Sequence, residues 1–195
     1  MSKSNDDTFP IKLNKTVKGT RHLAREKVLQ VIAATIDGEI QLDDVFPHVF
    51  NRQFSFDDDV SEDTTGRILR PEEVVELQAD SAIVWDPDDI EYATRVIEAD
   101  RNNTGRSREL IESNSKNWDV ERIAMLDRVL IRLAIAELTS CADIPVKVTI
   151  NEVIELAKRY STDKSGTFIN GILDAITVQL KADGLITKTG RGLVE

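Results

Sequence analysis

The chain has 195 residues, 41% of them apolar, and a formal net charge of −10. That length can bury a sizeable core as one domain, or one domain with an insertion, unaided by cross-links. A lone cysteine, Cys141, offers no partner for a disulfide or a zinc site; the polar N-terminus is unlike a secretory leader and no apolar run approaches the about 18 residues of a membrane span, so a cytosolic protein with no membrane partner is expected.

Residues 1–17 are polar without a sustained apolar period and read as a flexible arm. A first helix follows from Thr20 to Thr35, with Ala24, Val28, Val31 and Ile32 on one stripe, Thr20 as N-cap and Gly38 as stop. Charge is unevenly spread. Residues 1–35 hold seven Lys/Arg against three acids, residues 36–100 hold four against nineteen, and residues 101–195 hold fourteen against thirteen. The acid is thus concentrated in one block, which leaves the N-terminus and the C-terminal half able to meet phosphate.

Within that block, residues 39–89 read as an acidic, partly ordered insertion, and Pro71-Glu72-Glu73 opens a short helical pattern. Asp86, Pro87, Asp88 and Asp89 then start a helix whose apolar face is Ile90, Ala93, Val96 and Ile97; acids there suit the helix dipole. Another amphipathic stretch runs from Ser107 to Ser113. The segment from Asp119 to Ser140 is apolar around most of its circumference, as a central helix is. After Pro145, Thr149 and Glu152 have capping-box spacing, and Ile150, Val153, Ile154, Ala157 and Tyr160 form a stripe. Ser161 to Gly166 is a polar turn, and Phe168, Ile169, Ile172, Leu173 and Ile176 define the last helix. Residues 184–195 read as a frayed tail. The fold class is all-α, with the helical domain over 18–183.

Two features point to nucleic acid. Lys12, Lys15, Lys18, Arg21, His22, Arg25 and Lys27 crowd the start of the first helix, where cations oppose the macrodipole by about 0.3–1 kcal/mol each. An anion is the natural compensation; Arg21 and Arg25, four apart, share a face and can grip successive phosphates, whereas a merely solvated basic surface is the bland alternative. Phe168, just after the polar turn, can stack an unpaired base, and Asn170 can reach a base edge; the competing reading is that Phe168 is core and that Asn170 with Gly171 serves helix packing.

The stretch from Trp118 to Gly171 resembles the NusB family. It carries Leu126-Asp127-Arg128, Ile131-Arg132-Leu133-Ala134, Glu137-Leu138, Ile144-Pro145-Val146-Lys147-Val148, Ile150-Asn151-Glu152, Glu155-Leu156-Ala157-Lys158 and Phe168-Ile169-Asn170-Gly171. Ala24-Arg25-Glu26 with Leu29-Gln30 resembles that family's opening helix. The resemblance implies two packed helical subdomains and a transcription antitermination factor that binds boxA-type RNA of ribosomal RNA leader transcripts. It also implies a heterodimer with the ribosomal protein NusE and a place in the RNA polymerase antitermination complex. By position, Lys18, Arg21, His22 and Arg25 match the basic arm, Phe168 and its turn match the RNA-contacting loop, and Asp127 falls in the region facing NusE. The arm departs from the Arg-rich family pattern in using Lys at several positions, and Ala33 stands where relatives often carry an aromatic.

Catalysis is not expected, because no phosphate loop, nucleophile–His pair or metal-ligand spacing is present, and no cofactor or metal is implied. A helix-turn-helix DNA regulator is a rival, since a short polar turn joins the last two helices, but the final one offers only Asn170, Asp174 and Gln179 beside its apolar stripe. A purely structural helical adaptor is the other.

Overall fold

The computed structural model describes residues 16–51, 83–115 and 122–186. The arm before residue 16, the helical pattern after Pro71, Trp118 and the tail after residue 186 lie outside the described residues. Seven α-helices carry the described architecture: α1 (Arg21–Thr35), α2 (Leu42–Phe46), α3 (Pro87–Asn102), α4 (Thr104–Asn114), α5 (Met125–Ser140), α6 (Val146–Tyr160) and α7 (Ser165–Ala182). A π-helical turn, Pro47–Asn51, continues α2. Two short strands, β1 (Val17–Lys18) and β2 (Ile83–Val84), pair in parallel. No helix among the described residues is long and apolar enough to cross a membrane.

The fold is all-α and centres on α5. Leu130, Leu133, Ala134 and Leu138 are fully or almost fully buried, so this helix touches neighbours on most of its surface. On one side α1 and α3 pack against it, with α2 on α1; on the other α6 and α7 pack together and α4 lies across α7. One continuous apolar cluster joins the two groups, from Val28 and Ile32 of α1 through Leu133 to Leu173 and Ile176 of α7.

Helix ends follow local chemistry. Thr20 accepts a bond from the Leu23 amide at 3.1 Å, and Asp86 caps α3 by accepting from the Asp88 amide at 3.1 Å. Gly38, with φ of +73°, turns the chain beyond α1 in a conformation that disfavours a side chain. The capping box expected at Thr149 and Glu152 is not one, because α6 begins three residues earlier, after Pro145. Thr149 lies within the helix and spends its hydroxyl on buried Glu137 at 2.6 Å.

Inside the 39–89 stretch, α2 and its π-helical turn belong to the core. Phe50 is fully buried, stacks on Phe46 with ring centroids 4.4 Å apart, and meets Trp85 at 5.3 Å. Trp85 in turn donates from Nε1 to the Phe50 carbonyl at 2.7 Å. Gly19 lies flat against that indole: a Cβ there would stand 2.3 Å from Trp85 Cε3. The close approach, with the Gly19 amide bonded to the Val84 carbonyl at 2.8 Å, anchors the end of the basic arm beside α3.

Candidate nucleic-acid interface

The cations at the start of α1 divide into exposed and sealed groups. Lys18 is exposed on β1. Arg21 is part-exposed, with Nε 3.1 Å from Asp89 and its guanidinium 4.4 Å above the Tyr92 ring. His22 is exposed and bonds Glu152 through Nδ1 at 2.7 Å. These three look outward.

Arg25 does not, which corrects the expectation that it grips a phosphate beside Arg21. Only 3% of the residue is accessible, and its Nε and Nη2 donate to the two Glu137 oxygens at 2.8 and 3.2 Å. Glu137 is completely buried; it also accepts from the Tyr92 hydroxyl and from Thr149 Oγ1. Burial alone would weaken the Arg25 charge, but the Glu137 carboxylate and its hydrogen bond outweigh that and hold the guanidinium above its ordinary pKa. Burial, followed by the Glu137 charge, pushes the Tyr92 phenol up, so it stays a donor. The cluster ties α1, α3, α5 and α6 together. A buried pair of this kind exists because both charges and the remaining lone pairs are satisfied.

The other end of the surface is the turn between α6 and α7. Phe168 is half-buried and packs against the core cluster. Its ring therefore combines the core role with a part-exposed surface. Asn170 is also half-buried, and its amide donates to Asp174 at 3.2 Å, one turn along α7. Gly171 faces open space, so it supports no close helix packing.

Asp127 is not a solvent-facing acid available to a partner. It is 7% accessible, and its oxygens accept from Ser161 Oγ at 2.6 Å and Ser165 Oγ at 2.9 Å. Arg132, further along α5, makes a two-pronged bond to Asp100 at 2.9 and 2.7 Å, which ties α5 to α3.

The two ends share one flank. His22 meets Glu152 of α6, and four residues on, Glu26 accepts from Arg159 of α6 at 2.8 Å. Both pairs advance in the same chain direction along α1 and α6, and the C-terminus of α6 opens directly into the turn before Phe168. From residue 152 to residue 160 a helix climbs about 12 Å.

Between the two ends sit side chains that sequence reasoning passed over. Tyr160 is 37% accessible, and the exposed guanidinium of Arg159 lies 5.1 Å from its ring centroid. Burial and a hydrogen bond to Glu26 push the Tyr160 hydroxyl up to about 12. Tyr160 fell on the apolar stripe of α6 and so read as core. An aromatic directly before a polar turn, preceded by Lys158-Arg159, is the signal that would have found it.

The model of the NusB family matches residues 49–178. The chain belongs to the NusB family. A transcription antitermination protein NusB of Salinibacter ruber is 43% identical over 109 residues, covering 56% of this chain and 68% of that protein. The NusB of Chloroherpeton thalassium is 53% identical over 85 residues, covering 44% of this chain and 40% of that one. Among solved structures, NusB of T. maritima superposes with a TM-score of 0.61 at 28% identity, over 84% of this chain and 94% of the other. A NusB solved with NusE and double-stranded RNA has the same fold, with a TM-score of 0.57 at 21% identity, over 82% of this chain and 96% of that one. The helical groups around α5 are this family's architecture.

Proposed function

We propose that this NusB-family chain is an RNA-binding transcription antitermination factor of the cytosol. It holds single-stranded boxA-type RNA together with the ribosomal protein NusE and helps RNA polymerase resist termination. The observation that carries the reading is the shared flank. The exposed cations Lys18 and Arg21 stand at one end with the His22 imidazole, Arg159 and Tyr160 in the middle, and the Phe168 turn with Asn170 at the other. Cations hold phosphates without regard to sequence, while the part-exposed rings of Tyr160 and Phe168 offer faces to unpaired bases. The relatives named as antitermination proteins, and the NusB solved with NusE and RNA, support the same reading.

The helix-turn-helix alternative lacks support, since α7 buries Ile169, Ile172, Leu173, Ile176 and Leu180 and turns Gly171, Asp174, Ala175, Val178 and Lys181 outward, a poor set for base edges. The experiment is a titration of labelled boxA-type RNA, as single strand and as duplex, with and without NusE, beside duplex DNA of the same sequence. Tighter binding of the single strand, improved by NusE, is the expected result. A preference for duplex DNA would overturn the reading, and so would the absence of any RNA binding with NusE present.

A further inference from the structure

We propose that Asp127 is a positioning residue that holds the turn before Phe168 in the shape that presents the ring to RNA, an inference that rests on the RNA-binding reading above. Asp127 sits in the first turn of α5, yet both its oxygens are spent on a segment more than thirty residues away in sequence, on Ser161 and Ser165. These serines bracket the turn. Ser161 ends α6 in an extended conformation, and Ser165 opens α7.

The protons can be assigned one by one. Each serine gives its only hydroxyl proton to Asp127, so the Ser161 and Ser165 oxygens stand 3.0 Å apart with no proton between them and Ser165 Oγ is left with two lone pairs. It accepts from the Thr162 amide at 3.3 Å and from the Thr162 hydroxyl at 2.8 Å, because no other proton is left for that contact. The Ser165 amide closes the turn onto the Thr162 carbonyl at 2.9 Å. A chain of bonds thus runs from one carboxylate through Ser165 to the backbone of Thr162, and every described donor in it is used. The carboxylate also places negative charge at the start of α7, where the helix dipole favours it.

Phe168 lies three residues beyond Ser165, less than one helical turn along α7 and on nearly the same face. Fixing Ser165 therefore fixes where that ring stands relative to α5. The anchor of the other end of the surface lies on the same helix. Glu137, ten residues along α5, clamps Arg25 of α1, so α5 works as a spine with one carboxylate for each half of the RNA surface, about 15 Å apart along the axis. A buried acid whose partners all belong to one surface turn is better placed to set that turn's geometry than to meet a protein partner.

The test is a double-mutant cycle on single-stranded boxA-type RNA bound to the full chain with NusE. Phe168→Ala alone should weaken binding by about 5- to 150-fold, the range for a lost base stack. Asp127→Ala should weaken it by roughly 5- to 10-fold, and Asp127→Asn, which keeps one acceptor oxygen, by less. The double variant should bind no worse than Phe168→Ala alone, because the carboxylate acts only through the ring. Ser165→Ala alone breaks the link from the carboxylate to Thr162 while Ser161 still bonds Asp127, and it guards against failure of Asp127→Ala to fold. Parental affinity in a folded Phe168→Ala variant would sink the assignment of Phe168 as an RNA contact, and this inference with it. A weakened Phe168→Ala variant would leave that assignment standing; the inference then fails if the Asp127 or serine changes have no effect, or if their losses add to that of Phe168.

Discussion

Removing the Glu137 carboxylate should separate stability from RNA binding on α1. In Glu137→Ala, Arg25 remains 3% accessible with its principal partner gone. Only part-exposed Glu152, 3.4 Å from Nη1, is left to it, and a buried charge that loses its main partner costs about 3–5 kcal/mol. The Tyr92 and Thr149 hydroxyls lose their acceptor in the same step, which adds to the loss. For a chain of this size each kcal/mol shifts Tm by about 2–4 °C, so a drop of roughly 6–20 °C is expected in thermal unfolding. Pairing Arg25→Met with Glu137→Leu removes both charges and should recover much of it. The same logic applies to binding. Arg25→Met should lower Tm yet leave the salt dependence of RNA affinity unchanged, whereas Lys18→Ala should flatten its slope by about 0.7, the counterion release of one phosphate contact on a single strand. The reasoning is refuted if Glu137→Ala stays within about 1 kcal/mol of the parent, below the cost of orphaning a buried charge. It is refuted equally if Arg25→Met flattens the salt slope as much as Lys18→Ala does.

Gly19→Val should force a clash with the Trp85 ring, which its bond to Phe50 holds in place; overpacking of about 1–3 kcal/mol is expected, seen as lower stability with altered tryptophan fluorescence. The only two tyrosines, Tyr92 and Tyr160, both ionise above the ordinary 10.0, Tyr160 at about 12. Their protonated forms are favoured by the fold, so that stabilisation is complete below about pH 10, where unfolded tyrosine is also protonated, and is lost as pH rises toward the folded values. Ultraviolet titration should show no tyrosinate until well above pH 10, with unfolding following; a normal titration of both rings at native circular dichroism would contradict the burial described. Burial also pushes the Cys141 thiol up, and the residue is 1% accessible. Thiol reagents should label it only on unfolding, faster in Glu137→Ala than in the parent, and rapid labelling of the native protein would count against this packing.

The apolar stripes were legible because helical period is written locally: Ala24, Val28 and Ile32, or Ile169, Ile172, Leu173 and Ile176, need no knowledge of their partners. The family resemblance was legible for a related reason, since its motifs fall largely on α5, α6 and the start of α7. The polar groups were harder, because their partners are distant in sequence. Thr149 and Glu152 have the spacing of a capping box, but buried Glu137 claims one, and His22 and Arg25 of α1 claim the other. Arg25 reads as a phosphate grip from its charge, its four-residue spacing from Arg21 and its match to the family's basic arm. Its position held a better clue, since residues 25, 28, 29 and 32 share the apolar face of α1. Glu137 stands likewise one turn from Leu133 and beside Leu138 on a helix with no wet side to spare. Opposite charges on the core faces of two helices mark a buried pair, and Asp127, in register with Leu130, Ile131 and Ala134, carries the same mark.

The burial of Arg25 changes how a protein of net charge −10 can hold RNA. Arg21 is not a bare cation either, for Asp89 lies 3.1 Å from it, and the His22 imidazole is already bonded to Glu152 at 2.7 Å. A phosphate arriving at these side chains exchanges one anion for another, and the net gain is the difference between two ion pairs in water, each worth little when exposed. On the proposed reading, the electrostatic part of RNA affinity rests on Lys18 and on the outward cations near Arg159. On the reading proposed above, base stacking at Tyr160 and Phe168 carries more of the binding energy, and stacking depends on ring placement more closely than charge attraction does. Binding on such a surface depends on fixed geometry, and the two carboxylates proposed to set it, Asp127 and Glu137, lie buried on the most enclosed helix of the fold.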